Sequence, residues 1–167
     1  RRQRQMCIRD RYIRHIWVQS LELSKLMLDY VSYSGDEMFL KEKALPAIKE
    51  FLLYFDSRFR NERGQIRVTP TQAVETYWYE VENDMPSVAG LHYVLDALEK
   101  LPSHLLSDAD RSYYQQLKKG LPGLPKKGIA QGEVFLPAEV FLEKRTNVEN
   151  PELYAVFPFC LLYTSDA

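Results

Sequence analysis

Residues 13–31 read IRHIWVQSLELSKLMLDYV, and the spacing of their apolar side chains indicates the type of fold. Apolar residues recur every three or four positions, which is the period of an α-helix with one buried face. The repeating positions are Ile13, Ile16, Trp17, Leu21, Leu28 and Val31. Leu23, Leu26 and Met27 widen this apolar surface. The stretch therefore predicts an amphipathic helix that neighbouring elements cover on more than one side.

Three further helices are predicted downstream. The first follows a turn at residues 34–36 and includes Pro46, which starts or kinks it because proline lacks a backbone N–H. The second resumes at about Ser87, and the third begins near Ser107 and ends at Gly120. Their apolar positions are Phe39, Leu45, Ile48, Phe51, Leu52 and Phe55, then Val88, Leu91, Leu95 and Leu98, then Tyr113, Tyr114 and Leu117.

Three longer segments lack a helical period. Residues 61–84 contain a turn and a short extended piece at 66–68, followed by polar and aromatic residues. Residues 128–136 indicate irregular or short β structure, and residues 147–159 a packed loop. Long loops in compact domains are usually functional or disordered. These segments are too apolar for simple disorder, so we expect helices joined by functional loops.

The two ends of the chain are related at the level of DNA. Residues 1–11 contain five arginines, but codons for residues 6–10 can be chosen that are the reverse complement of codons for residues 160–165. Unrelated protein termini have no physical reason to be inverted copies, and the pattern resembles transposon-end adaptors translated in frame. We therefore expect residues 1–11 and 160–167 to be adaptor-derived, and residues 12–159 to be part of a longer gene product. Both cysteines, Cys7 and Cys160, fall in these ends.

Charge and composition exclude several classes of function. The chain has 22 basic and 23 acidic side chains, and five of the basic and two of the acidic ones lie in residues 1–11 and 160–167. Residues 12–159 therefore carry a net charge of −4. This charge disfavours binding to phosphate backbones, and we expect no nucleic-acid partner. No apolar run reaches the roughly 18 residues of a membrane span. His15, His92 and His104 are scattered without the spacing of a metal site, so we expect no metal and no cofactor.

The order of several motifs resembles glycoside hydrolase family 95 and its close relatives among the six-hairpin glycosidases. YSGD at 33–36 and ALPAIKEF at 44–51 are similar to that family's T-G-D turn and following helix. VTPTQAVETY at 68–77 lies where the family has G-P-S-x-S-P-E-N-x-F, and NVENPELYAVFP at 147–158 resembles H-x-S-H-L-x-G-L-Y-P. The resemblance implies an all-α protein with minor β structure, a fragment of an (α/α) six-hairpin toroid. It also implies hydrolysis of O-glycosidic bonds with inversion, and is compatible with a secreted or periplasmic location.

The resemblance also implies catalytic residues. Glycoside hydrolysis requires one carboxylic acid to protonate the leaving oxygen and a second carboxylate to activate water or attack the sugar. Glu75 matches the family's general-acid position. The base would be Glu139, Glu143 or Glu149, or would lie outside this chain. Both histidines of the last family motif fall on glutamates here, Glu149 and Glu152, which puts fucose specificity in doubt.

Five residues are candidate contacts to an oligosaccharide or polysaccharide. Tyr77 and Trp78 offer flat faces to sugar C–H groups, although packing in the core is the alternative for each. Asn150 either holds a sugar hydroxyl or caps the following turn. Thr71 and Glu152 belong to the same two segments and complete the set.

Two other functions remain compatible with the sequence. A non-catalytic sugar-binding relative is favoured by the replacement of both histidines. A helical scaffold that binds protein is disfavoured because no repeat of 20–50 residues is visible. The enzyme hypothesis requires Glu75 and residues 139–152 to lie at one cavity, whereas a scaffold would leave Glu75 pointing outward and far from them.

Overall fold

The computed structural model describes residues 14–161, which form helices in the order that the sequence predicts. The α-helices are α1 (Gln19–Ser34), α2 (Glu37–Phe39), α3 (Leu45–Phe59), α4 (Met85–Glu99) and α5 (Asp108–Lys119). A π-helical turn, Leu40–Ala44, joins α2 to α3, and 3-10 helices form at Ser103–Leu105 and Pro151–Ala155. No helix among these residues is long and apolar enough to cross a membrane.

The expected all-α fold, a fragment of a six-hairpin toroid, is wrong. Of residues 14–161, 51% are helical and 16% are in strands, and these strands form two small antiparallel sheets. The strands are β1 (Thr71–Ala73), β2 (Tyr77–Asp84), β3 (Lys126–Ile129), β4 (Gly132–Phe135) and β5 (Ala138–Val140). β3 and β4 form a hairpin, and β1, β2 and β5 form a separate sheet with β2 in the centre. The fold is therefore mixed α and β.

The central strand β2 explains the error in fold class. Its segment contains Tyr77, Trp78 and Tyr79, residue types that favour strands, but its pairing partner β5 lies more than fifty residues away in the chain. Glu82 pairs with Val140, in an antiparallel register. This pairing joins backbone groups of segments that are distant in the chain. The spacing of apolar side chains along one segment therefore does not reveal it.

Helix α4 is the centre of the hydrophobic core. Its buried residues are Met85, Pro86, Ser87, Val88, Ala89, Gly90, Leu91, Val94, Leu95 and Leu98. A Cβ atom at Gly90 would lie 2.8 Å from Leu21 Cβ and 2.8 Å from Phe159 Cζ. Only glycine permits this approach, so α1 and the C-terminal segment pack directly onto the backbone of α4.

Helix boundaries follow the predicted signals with small corrections. Ser107 caps α5 by accepting from the Asp110 backbone N–H, and Gly120 ends that helix. α4 starts at Met85, two residues before the expected Ser87, because the Asp84 side chain caps it. Pro46 lies in the first turn of α3, directly after the π-helical turn, so it marks a change of helix type within a continuous helical segment.

Helix α1 differs from its prediction in length and in coverage. It begins at Gln19, so Ile16 and Trp17 precede it, and Ile13 lies outside the described residues. Leu23 and Leu26 are 47% and 63% exposed, so the prediction of cover on more than one side is wrong for this part of the helix. The expected adaptor-derived ends also lie outside the described residues, except for Cys160, which is exposed, and Leu161, which packs against the core.

Candidate functional site

Glu75 lies in the turn that joins β1 to β2, residues 74–76, which we call the Glu75 turn. The preceding residue, Val74, is buried and has a φ of +48°. This left-handed conformation is unfavourable for a β-branched residue. Residues held in such conformations tend to cluster at functional sites, because the surrounding structure has to enforce them. Glu80, Asn83 and Cys160 also have a positive φ, so the Glu75 turn is one of several positions with this backbone conformation.

Three neighbours hold the backbone of Glu75. Its carbonyl oxygen accepts from Trp78 Nε1 at 2.7 Å and from Thr146 Oγ1 at 2.6 Å. Its backbone N–H donates to Glu149 Oε2 at 3.0 Å. Two of these partners come from residues 141–150, which we call the C-terminal loop. The Glu75 turn is thus fastened to a segment some seventy residues away in the chain.

The side chain of Glu75 is held by a single amide. Asn147 Nδ2 donates to Glu75 Oε2 at 3.3 Å. Asn147 is itself oriented because its Oδ1 accepts from the Val148 backbone N–H at 2.8 Å. Oε1 of Glu75 has no hydrogen-bond partner among residues 14–161, and the side chain is partly exposed. The carboxyl group is therefore oriented at one oxygen and open at the other.

Further bonds lock the C-terminal loop onto the Glu75 turn. Thr146 N donates to the Thr76 carbonyl at 2.8 Å, and Thr76 Oγ1 donates to the Glu149 carbonyl at 3.1 Å. Arg145 Nη2 donates to the Glu149 carbonyl at 2.8 Å and to Asn150 Oδ1 at 3.1 Å. Glu149 and Asn150, both candidates from sequence, lie in this cluster with Glu75.

The aromatic candidates next to the turn have different surroundings. Tyr77 is half-buried, packs edge-on against Phe141 with ring centroids 5.1 Å apart, and has the Arg145 guanidinium 5.9 Å from its ring centre. Trp78 is also half-buried, and its N–H is used by the Glu75 carbonyl. Both rings therefore contribute to the packing of the site as well as flanking Glu75.

Four other candidates have less direct relations to Glu75. Glu139 Oε2 accepts from Asn83 Nδ2 at 2.6 Å, at the opposite end of β2 from the Glu75 turn. Glu143 lies in the C-terminal loop and is exposed. Thr71 is buried and donates to Asp84. Glu152 has a buried Oε2 without a hydrogen-bond partner within residues 14–161.

Three of these residues have no direct contact with Glu75. Glu139 lines a different surface cleft of about 250 Å³ together with Arg67 and Glu82, so it is not a partner of Glu75. Thr71, with its hydroxyl committed to a buried carboxyl, has a structural environment rather than that of a ligand contact. The unpartnered oxygen of Glu152 faces the protein interior and carries no assigned role.

Asp84 is a buried polar residue at the end of β2 opposite the Glu75 turn, and the sequence did not single it out. It is 1% exposed, accepts from Thr71 Oγ1 at 2.6 Å and from Ser87 N at 2.9 Å, and ties β1 to the start of α4. Burial raises the pKa of Asp84 to about 6, although these two hydrogen bonds oppose the increase. A signal was present, since an aspartate two residues before Pro86 is typical of a helix N-cap.

Asn147 and Arg145 were also missed as members of the site. Their types and positions gave no signal, because they act through contacts with Glu75 and with the loop backbone. Among residues 14–161 no group of three or more His, Cys, Asp or Glu side chains could hold a metal ion. The arrangement offers one open carboxyl, amide and hydroxyl groups, aromatic faces and a guanidinium, which are groups that proteins use to bind polyhydroxylated ligands.

Comparison with protein-family models finds no match for the chain, and neither does comparison with curated proteins. The resemblance to glycoside hydrolase family 95 therefore stays a prediction from the motifs. With the toroid overturned, any functional argument has to start from the local geometry around Glu75.

Proposed function

We propose that the protein hydrolyses O-glycosidic bonds, with Glu75 as the general acid. The observation that supports this most is the fixed carboxyl group of Glu75, held at Oε2 by Asn147 and open at Oε1. A general acid has to be within hydrogen-bond reach of the leaving oxygen in a reproducible orientation. The Glu75 turn satisfies the second requirement through its bonds to the C-terminal loop.

We propose Glu143 as the water-activating carboxylate. Glu149 is less suited, because its carboxylate already accepts from the Glu75 backbone N–H, and Glu139 lies at the other end of β2. Glu143 is exposed and follows Leu142, whose backbone is bonded to the sheet. Leu142 N donates to the Tyr79 carbonyl at 3.3 Å, next to the aromatic part of β2. The role left for Glu149 is to position the turn.

A non-catalytic sugar-binding protein is the second candidate. It is favoured by the bond from the Glu75 backbone to Glu149, which uses a carboxylate that catalysis would otherwise employ. In this case the Glu75 carboxylate accepts hydrogen bonds from sugar hydroxyls and no bond is cleaved. The same residues are involved, so only a measurement of turnover beside binding separates the two functions.

The proposal is tested by measuring hydrolysis and binding with the same saccharides. A panel of oligosaccharides and aryl glycosides is incubated with the protein, and NMR follows both the product anomer and saturation transfer to bound sugar. We expect hydrolysis with inversion, and a 10²- to 10⁴-fold lower kcat for Glu75→Gln, which is the usual contribution of a positioned acid. Glu62→Gln, the same change at an exposed turn residue, is the control and should leave kcat unaltered.

The possible results separate the two candidates. Binding that Glu75→Gln weakens, with no cleavage of any substrate, would identify a sugar-binding protein. Cleavage that proceeds equally well in Glu75→Gln would remove Glu75 from the mechanism. A retained anomeric configuration would reject Glu143 as a base, because inversion requires water between the two carboxylates.

A further inference from the structure

Two cationic side chains lie over two tyrosines beside the Glu75 turn. The Arg145 guanidinium is 5.9 Å from the ring centre of Tyr77, and Lys144 Nζ is 5.4 Å from that of Tyr79. Tyr77 and Tyr79 are two positions apart on the central strand β2. Both cations belong to the C-terminal loop, which also supplies Asn147 to Glu75. The pairs therefore form one cationic patch, consisting of Lys144 and Arg145.

Neither cation of this patch is neutralised within the described residues. No carboxylate lies within 4.0 Å of Lys144 Nζ or of the Arg145 guanidinium among residues 14–161. The acceptors of Arg145 are neutral, a carbonyl and an amide oxygen, and both bonds use Nη2. Nε and Nη1 of Arg145 thus keep their donors for a ligand, while the two bonds from Nη2 hold the guanidinium to the loop.

Lys126 shows the contrasting arrangement on the β3–β4 hairpin. Its Nζ lies 5.5 Å from the ring centre of Phe135, but it also forms an ion pair with Glu133 at 3.4 Å. A cation over an aromatic ring is therefore not unusual in this protein. The patch differs because its charges have no anionic partner and because it adjoins the open carboxyl group of Glu75.

We propose that the cationic patch recognises the anionic group of an acidic saccharide, a carboxylate or a sulfate. A guanidinium presents its N–H donors in one plane, in a fork that matches such groups. The ring of Tyr79, which is exposed, can contact the apolar face of the same sugar ring. Glu75 and Glu149 repel anions, so the anionic group is held on the tyrosine side of the C-terminal loop, away from the reacting bond. This inference rests on the proposed function only in taking the ligand to be a saccharide.

Binding of matched ligands tests the inference. An oligogalacturonate, a neutral oligosaccharide of the same length and a sulfated oligosaccharide are titrated by calorimetry at low and at high salt. We expect at least one anionic ligand to bind about 10-fold or more tightly than the neutral one, and to weaken as salt increases. Arg145→Gln should remove most of this preference, since a hydrogen bond to a charged group is among the stronger ones.

Variants distinguish charge from geometry and from folding. Lys144→Gln should reduce the preference for the anionic ligand, and Lys126→Gln should leave it unchanged. Arg145→Lys keeps the charge but loses the planar fork, and should retain only part of the affinity. Because Arg145 also donates to the Glu149 carbonyl and to Asn150, thermal unfolding of Arg145→Gln is compared with that of Lys144→Gln, which removes a charge without removing these bonds.

The alternative outcomes have separate meanings. Equal affinity for neutral and anionic ligands, unaffected by Arg145→Gln, would overturn the inference and leave the proposed function intact. Binding of the sulfated ligand alone, or of the galacturonate alone, would support the inference and identify the anionic group. Binding of no saccharide by the folded protein would reject both proposals, whereas selective binding of the anionic ligand without hydrolysis would reject only the enzymatic one.

Discussion

Replacement of Asp84 by asparagine should change how the stability of the protein depends on pH. Asp84 lies at the junction of β2 and α4, where it caps the helix and accepts from Thr71 of β1. Asparagine is an equally good helix cap, because its oxygen can accept from the Ser87 backbone N–H. Its amide nitrogen replaces the oxygen that accepts from Thr71, and the Thr71 hydroxyl can accept from that nitrogen instead. The variant Asp84→Asn therefore removes the ionisation of the side chain with little change of shape.

The size of the change in stability follows from the pKa of Asp84. Burial raises this pKa from the ordinary 3.8 to about 6 in the folded protein. A carboxyl with a raised pKa favours folding most below pH 3.8, where it is protonated in both states, and that stabilisation is lost as the pH rises through 6. At 1.36 kcal/mol for each pH unit between the two pKa values, the loss is about 3 kcal/mol.

Urea unfolding at several pH values between 4 and 7.5, followed by the fluorescence of the two tryptophans, tests this reasoning. The free energy of unfolding of Asp84→Asn, relative to that of the original protein, should increase by up to about 3 kcal/mol as the pH rises. Other carboxyl groups titrate in both proteins and cancel in the difference. Parallel curves for the two proteins would show that Asp84 is not desolvated as described.

Asp110 provides a control of opposite sign. The hydrogen bond from Lys49 lowers the pKa of Asp110, with a further contribution from Ser107. Its stabilising contribution is present above the ordinary pKa and is lost as the pH falls. Asp110→Asn should therefore lose more stability relative to the original protein at neutral pH than at acidic pH.

Two further predictions concern packing and the site. Gly90→Ala should lower the free energy of unfolding by about 1–2 kcal/mol, because overpacking against α1 outweighs the gain in helix propensity; thermal unfolding measures it. At Gly123 an added Cβ meets nothing within 4 Å, so Gly123→Ala should change the free energy of unfolding by less than about 0.5 kcal/mol. Equal effects of Gly90→Ala and Gly123→Ala would contradict the close packing of α4 at Gly90. Asn147→Asp should move the pH–rate profile to higher pH, since it replaces the donor to Glu75 by a like charge. An unmoved profile with normal turnover would show that Asn147 does not orient Glu75.

The candidate site was predictable in part. The motif around Glu75 and the apolar segment around Glu149 and Asn150 identified two segments, and the structure places them in contact. The residue types did not reveal which contacts join these two segments. Most of the bonds that fasten the Glu75 turn use backbone N–H and carbonyl groups, which every residue carries, so they leave no trace in residue type. Asn147 was overlooked because its amide acts on the side chain of Glu75, which lies about seventy residues away in the chain. Glu139 was grouped with the wrong cluster.

The helices follow from the sequence itself, because the period of apolar side chains and the capping residues are local features. The positions of α1, α3, α4 and α5, with Ser107 and Gly120 at the ends of α5, are encoded within short windows of the chain. The central sheet and the site are not. They depend on β2 meeting β5 and on the Glu75 turn meeting the C-terminal loop, contacts between segments more than fifty residues apart. Bringing such distant segments together costs chain entropy before their contacts can stabilise the protein. These contacts are therefore determined only by the tertiary structure.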